Sequence, residues 1–115
     1  MKCEKLDVWK KSCRLSVNIY KAFKDSKDFG FKDQITRSSL SIASNIAEGM
    51  EKESNKDKNR FLDISKGSTA ELITQIYIGM EIDYIKKDIG FSWIQELNEI
   101  NKMLSGLRKN LTLHT

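Results

Sequence analysis

The sequence predicts an all-α protein that folds as an antiparallel up-down-up-down four-helix bundle in one domain, residues 1–115. Three observations support this fold. The chain contains no proline and only six glycines, which suits long uninterrupted helices. Apolar side chains recur every three or four residues in four stretches. The breaks between these stretches are short, and short connections make consecutive helices antiparallel neighbours. We expect the helices at about 7–24, 31–50, 55–87 and 92–111.

The first predicted helix, residues 7–24, buries a stripe of mostly apolar side chains. Steps of three and four residues join Leu6, Trp9, Cys13, Ser16, Tyr20 and Phe23, and Val8, Leu15 and Ile19 widen the stripe. Asp7 is either the N-cap or an acidic residue of the first turn, where the helix dipole favours a carboxylate. The polar run at 25–30 predicts the loop that ends this helix.

The second predicted helix, residues 31–50, carries two stripes side by side. The apolar stripe contains Ile35, Ser39, Ile42, Ile46 and Met50, and the polar stripe contains Gln34, Arg37, Ser41, Asn45 and Glu48. Because buried charges need partners, we expect Arg60 and Glu71 of the third helix to pair with the polar stripe. We expect the helix to stop at Gly49, which is a good C′ residue.

The third predicted helix, residues 55–87, begins with a cap at Ser54 and has Asp57 in the capping-box position. Over thirty residues at ~1.5 Å each would make it about 50 Å long, so we expect it to extend past its neighbours and serve assembly. Gly67 costs about 1 kcal/mol relative to Ala in a helix interior, which predicts a packing reason for it. With Ser68 and Ala70, opposite serines 38, 39 and 41, it would let two helix backbones approach closely.

The fourth predicted helix, residues 92–111, follows a break at 88–91. Ser92 and Gln95 form its capping box. Its apolar stripe contains Ile94, Leu97, Ile100, Leu104, Leu107 and Leu111. The residues after Leu111 are expected to fray.

The order and spacing of several short motifs resemble one bacterial protein family. Two short segments come first, at residues 34–38 and 45–49. They are followed by Phe61 and then by the pair Gly67 and Ser68, with Glu71 close behind. This pattern resembles the 23S rRNA intervening-sequence protein family, whose Gly-Ser pair often follows Ala where this chain has Lys66. The signature residues are Gln34, Arg37, Ser38, Asn45, Glu48, Gly49, Phe61, Gly67, Ser68 and Glu71.

The resemblance implies an antiparallel four-helix bundle that assembles as a homopentamer and has no established enzymatic activity. A more distant resemblance, to the accessory proteins of diversity-generating retroelements, implies similar pentamers that bind nucleic acid and a reverse transcriptase. Fold analogy alone is a weak argument for function.

The net charge of +4 is unevenly distributed: residues 1–30 carry +4, residues 31–100 carry −3 and residues 101–115 carry +3. The first and last helices of such a bundle are neighbours, so their basic residues are predicted to share a surface. The candidate nucleic-acid contacts are Lys10, Lys11, Arg14, Lys21, Lys102, Arg108 and Lys109. The surface either keeps the protein in solution or binds a nucleic-acid backbone.

The residue types argue against catalysis. His114 is the only histidine, at the end of the tail, which excludes the usual di-metal site of bundles and the Ser-His and Cys-His nucleophiles. No glycine-rich phosphate loop is present. Glu48 and Glu71 are disfavoured as an acid-base pair because Arg37 and Arg60 are available to neutralise them. We expect no enzymatic activity, no cofactor and no metal.

Cysteine usage and hydropathy predict a cytoplasmic protein. Cys3 and Cys13 are the only cysteines, they form no Cys-x-x-Cys motif, and the charged N-terminus does not resemble a signal peptide, so we expect reduced thiols, with Cys13 in the core. No apolar run approaches the ~20 residues that span a membrane.

Several aromatic and apolar residues remain after one internal seam is filled. Trp9, Trp93, Tyr77 and Tyr84 lie at helical spacing and are expected in the core or at a subunit interface rather than as a stacking platform for bases. The internal seam does not need Ile19, Tyr77, Met80 and Trp93, so we expect their apolar surface to mark an interface.

Two functions follow from the sequence and the resemblance. One is an oligomeric, pentameric adaptor that binds RNA or DNA through its basic terminal helices. The alternative is a protein-protein interaction scaffold with no nucleic-acid role, in which the polar stripe of the second helix contacts another protein.

Overall fold

The computed structural model describes residues 1–114, and within them the chain forms four α-helices and no strand. The helices are α1 (Asp7–Ala22), α2 (Phe29–Met50), α3 (Asn55–Glu81) and α4 (Lys87–Leu113). Each helix packs on the next in the chain, and α1 also packs on α4. The molecule measures 46 × 21 × 20 Å. The predicted all-α four-helix fold is confirmed.

The core consists of one apolar seam from each helix. All five members of the predicted apolar stripe of α2 are buried, and Ile35, Ile42 and Ile46 are at most 1% exposed. They meet the other fully buried side chains, namely Leu15, Ile19, Leu62, Thr69, Leu72, Ile76, Leu97, Ile100 and Leu104. Burying each large aliphatic side chain contributes roughly 1.5–3 kcal/mol, so this seam is the main source of stability.

The N-termini of α2 and α3 are capped by side chains. Asp28 Oδ1 accepts a hydrogen bond from Phe31 N at 3.1 Å, so α2 begins at Phe29, two residues earlier than predicted. Ser54 Oγ accepts from Asp57 N at 3.1 Å, as the sequence predicted. Asp7 is an acidic residue of the first turn of α1, with Leu6 at the N-cap.

The predicted end of α3 and start of α4 are wrong. The chain leaves α3 after Glu81, and Asp83 adopts a left-handed conformation with φ of 64°. The amides of Tyr84 and Ile85 then donate to Gly79 O at 2.8 and 3.1 Å. Because α3 has 27 residues, it is about 40 Å long rather than 50 Å, and it is no longer than α4, which also has 27.

The beginning of α4 lies five residues earlier than predicted, at Lys87. Ser92 is therefore an exposed residue inside the helix and does not cap it. Gly90 lies in the first turn, where a Cβ would overlap the Met80 side chain. At their C-termini, α1 ends at Ala22 rather than residue 24, and α4 continues to Leu113, two residues past the predicted end.

Two glycines have roles other than those predicted. Gly49 does not follow α2 but lies inside it, where a Cβ would be 2.7 Å from Phe61 Cβ and 3.3 Å from Lys58 O. Gly67 is exposed, and a Cβ there would meet nothing within 4 Å. The close approach of α2 and α3 is therefore made at Gly49 and not at Gly67.

Candidate functional site

The polar stripe of α2 contributes Gln34, Arg37 and Ser41 to a polar cleft of about 160 Å³ between α2 and α3. The cleft is lined by Gln34, Arg37, Ser38, Ser41, Ser68 and Glu71. Hydroxyls bridge it: Ser38 Oγ donates to Glu71 Oε1 at 2.9 Å, and the hydroxyls of Ser41 and Ser68 lie 2.9 Å apart. These bonds join the two helices, so this part of the signature stabilises the fold.

The ion pairs predicted for this stripe do not form. Arg37 pairs with Asp33 of its own helix, with Nη2 3.1 Å from Oδ1. Among residues 1–114, Glu48 is exposed and has no ion-pair partner. The physical reason is exposure: the Arg37 and Glu48 side chains are in contact with water, where pairing between charges stabilises little.

Phe61 and Arg60 lie together where α2 passes α3. The Arg60 guanidinium and the Lys52 ammonium each lie 5.0 Å from the centroid of the Phe61 ring, on whose Cβ Gly49 packs. Arg60 therefore makes a cation–π contact with Phe61 instead of the predicted pair with the polar stripe. Phe61 and Gly49 of the signature hold the α2–α3 turn in place.

A second groove, which we call the basic groove, lies between α1 and α4. It has a volume of about 390 Å³ and is lined by Asp7, Lys10, Lys11, Arg14, Glu99 and Met103. Lys11 Nζ lies 3.0 Å from Glu99 Oε2. Lys10 and Arg14 are exposed and have no ion-pair partner within the part of the chain that the structure describes. Both cations are thus available to an anionic partner.

The other predicted basic residues lie elsewhere. Arg108 and Lys109 line a cleft between α3 and α4, and Lys21 lines a groove between α1 and α2. Lys102 is exposed on α4 and lines none of these clefts. Since α4 contributes Glu99 and Met103 to the basic groove, the predicted basic residues of α1 and α4 do not line one common groove.

Arg108 is held by a carboxylate. Its Nε donates to Asp63 Oδ1 at 2.6 Å and its Nη2 donates to Asp63 Oδ2 at 3.3 Å. These hydrogen bonds raise the pKa of Arg108 above its ordinary value. The pair joins α3 to α4, so Arg108 is less available to a ligand than Lys10 or Arg14.

An apolar groove between α1 and α2 was not predicted. It has a volume of about 360 Å³, and its apolar lining comes chiefly from Val17, Tyr20, Leu40 and Ala43. Val17, Leu40 and Tyr20 are 50%, 49% and 43% exposed. The signal was present in the sequence, because Val17 and Leu40 are apolar residues that fall outside the stripes assigned to their helices.

Most of the residues predicted to be left for an interface belong to the core. Ile19, Met80 and Trp93 are buried, whereas Tyr77 is exposed and packs edge-on against Phe91 with ring centroids 6.2 Å apart. Trp9 is half-buried against the core. The interface prediction fails for the three buried residues because the seam is wider than one stripe.

The two cysteines are free thiols in different surroundings. Cys3 is buried, while Cys13, which was expected in the core, is half-buried and lines the apolar groove. Burial raises the pKa of both thiols above the ordinary value. Neither thiol is activated as a nucleophile.

Two other kinds of site are absent from residues 1–114. No three His, Cys, Asp or Glu side chains are grouped there so that they could bind a metal ion. None of the four helices combines the length and the apolar character needed to cross a lipid bilayer.

Comparisons with known proteins give one family. Residues 4–106 match the model of the family described as 23S rRNA-intervening sequence protein. The chain is also similar to a crystal structure from Bacteroides thetaiotaomicron, described as a protein with unknown function from the S23 ribosomal protein family, with 30% identity and a TM-score of 0.82. The match covers 89% of this chain and 98% of that one. No curated protein is similar enough in sequence to count as a relative.

Proposed function

This chain belongs to the 23S rRNA-intervening sequence protein family, and from that premise we propose that it is a non-enzymatic adaptor that assembles as a homopentamer and binds the backbone of RNA or DNA. The main observation in favour of the proposal is that α1 has an apolar groove on one side and a basic groove on the other. The apolar groove lies toward α2, and the basic groove lies toward α4. The same helix can therefore contact another subunit on one side and an anion on the other.

Assembly is assigned to the apolar groove. Three half-exposed apolar side chains, Val17, Tyr20 and Leu40, line one continuous depression, and apolar patches of this kind mark contact surfaces. The ring size of five comes from the family that the chain resembles. A ring presents the basic groove five times, so weak binding by each subunit adds up through avidity.

Nucleic-acid binding is assigned to the basic groove. Lys10 and Arg14 are exposed and unpaired among residues 1–114, and Lys11 is balanced by Glu99. Lys and Arg side chains that contact phosphates release condensed counterions, which makes affinity steeply dependent on salt. The groove contains no base-reading arrangement, so binding is expected to be insensitive to sequence.

The test compares the wild type with a Lys10→Gln, Arg14→Gln double variant in fluorescence anisotropy titrations of a labelled structured RNA at several salt concentrations. For the variant, the slope of log affinity against log salt should be shallower by roughly 0.9 for each phosphate that a subunit no longer neutralises. The matched control is Lys86→Gln, Lys87→Gln, which removes two exposed charges at the α3–α4 turn and should bind like the wild type. Equal slopes for the wild type and the Lys10, Arg14 variant would contradict the assignment.

The alternative is a protein-interaction scaffold without a nucleic-acid role. The carboxylate of Glu48, on the polar stripe of α2, favours it, because this side chain is exposed and has no ion-pair partner among residues 1–114. This alternative predicts no salt-dependent RNA affinity in the same titration. It also predicts that Glu48→Gln weakens binding to a protein partner without changing the stability of the fold.

A further inference from the structure

Lys66 of α3 has unusual surroundings for a lysine. Its side chain is half-buried, and its ammonium donates to Ser105 Oγ at 2.8 Å. Within residues 1–114 no carboxylate lies within ion-pair distance of it. Partial burial removes water from an ammonium group, and one neutral hydroxyl compensates only part of that loss.

The space in front of Lys66 is a cleft between α3 and α4, which we call the α3–α4 cleft. It has a volume of about 290 Å³ and is lined by Lys66, Ser105, Arg108, Lys109, Thr112 and Leu113. Asp63 is next to the cleft, but both of its oxygens accept hydrogen bonds from Arg108. The charges of Lys66 and Lys109 therefore remain uncompensated in the described part of the chain.

The hydroxyl groups of the cleft differ in what they can still donate. Thr112 Oγ1 donates to Arg108 O at 2.9 Å and accepts from Asn59 Nδ2 at 3.0 Å, so its proton is used. Ser105 Oγ accepts from Lys66, and among residues 1–114 its own proton has no acceptor. Ser105 can therefore donate a hydrogen bond into the cleft beside the Lys66 ammonium group.

We propose that the α3–α4 cleft binds a phosphate group, with Lys66 and Lys109 as the cationic contacts and the Ser105 hydroxyl as a neutral donor. Charge-assisted hydrogen bonds from ammonium groups to phosphate oxygens are among the stronger polar contacts in proteins. A bound phosphate would also supply the anion that Lys66 lacks. The source of the phosphate, namely a nucleic-acid backbone, rests on the proposed function. The site itself does not, because free inorganic phosphate has the same contacting atoms.

Two titrations test the site, each with wild type, Lys66→Met, Lys66→Arg and the control Lys56→Met, which removes an exposed charge from the same helix. In the first, inorganic phosphate is added at constant ionic strength while amide chemical shifts are followed by NMR. We expect saturable shifts at Ser105 and Thr112, an affinity about tenfold weaker in Lys66→Met, and recovery in Lys66→Arg. No saturation in the wild type, or equal affinity in Lys66→Met, would overturn the site.

The second titration uses the labelled RNA and separates the two proposals. Weaker RNA binding in Lys66→Met but not in Lys56→Met supports a backbone phosphate in the cleft. If Lys66→Met loses phosphate binding but binds RNA like the wild type, the phosphate that the cleft binds does not come from a nucleic-acid backbone. If the wild type binds phosphate but no RNA, the phosphate site in the cleft is supported and the proposed nucleic-acid binding is contradicted.

Discussion

Gly49 and Gly67 have opposite surroundings, although both belong to the family signature. Phe61 Cβ occupies the space beside Gly49, whereas Gly67 faces open space. The sequence indicated a packing reason for a glycine in this region but assigned the close contact to Gly67. Helix spacing places a residue on a face of its own helix, but it does not say how that face is turned toward a neighbour.

The two glycines give opposite predictions for the same substitution. Gly49→Ala should destabilise the protein by about 1–3 kcal/mol, because the new methyl group overlaps Phe61 and forces α2 and α3 apart. Gly67→Ala should stabilise it by up to about 1 kcal/mol, since alanine favours the helix and meets no obstruction. Urea denaturation at one protein concentration measures both changes. A stable Gly49→Ala variant would show that this contact can relax without cost.

A second residue-scale prediction concerns the carboxylate of Asp28. The hydroxyl of Tyr84 donates to Asp28 Oδ2 at 2.8 Å, and together with the Phe31 amide it lowers the pKa of Asp28 below the ordinary value. A lowered carboxyl pKa means that the folded state binds its proton less readily than the unfolded state. The stability from this pair is therefore fully present above the ordinary aspartate pKa and is lost as the pH falls through the lowered one.

Removal of the donor tests this pair. Tyr84→Phe should melt at a lower temperature than the wild type at neutral pH. This difference in melting temperature should become smaller as the pH falls below the ordinary aspartate pKa. The carboxyl resonance of Asp28 should titrate at higher pH in the variant. A difference in melting temperature that stays constant across the acid range would mean that Tyr84 stabilises the fold only through packing.

At the scale of elements, the sequence predicted four helices and their buried faces but misplaced the α3–α4 turn. Apolar residues continue past Glu81 through Ile82 and Ile85 at helical spacing, so periodicity alone extends the helix. The turn depends on Asp83 in a left-handed conformation and on Ile85 folding back onto Gly79, which is a tertiary contact. Asp83→Gly should raise stability in thermal melts, since glycine adopts this conformation without strain. A lower melting temperature would show that the aspartate side chain holds the turn.

The candidate site was predictable in composition and not in arrangement. Lys10, Lys11 and Arg14 were identified as basic contacts, and they do lie together. Arg108 and Lys109 were also identified, yet the rotation of α4 directs them toward α3. Rotation of a helix about its axis depends on which side chains its neighbours present. The apolar groove escaped prediction for the same reason, because residues of α1 and α2 form it only after the two helices have packed.

At the scale of the whole molecule, we predict a subunit that remains folded but no longer assembles when the apolar groove is charged. Val17→Asp places a carboxylate at a half-exposed position, so the fold should tolerate it while the buried contact between subunits should not. Ile64→Asp is the matched control, because Ile64 is 44% exposed and lines none of the grooves described above. Light scattering after size exclusion should give a monomer for Val17→Asp and the wild-type mass for Ile64→Asp.

The proposal that the protein is an oligomeric nucleic-acid adaptor is tested most directly by the mass of the wild-type protein in solution. This mass is measured by light scattering with and without a structured RNA. An oligomeric nucleic-acid adaptor should have five times the 13.3 kDa mass of one chain and should elute together with RNA at low salt but not at high salt. A 13.3 kDa particle that elutes apart from RNA at every salt concentration would contradict both assembly and nucleic-acid binding.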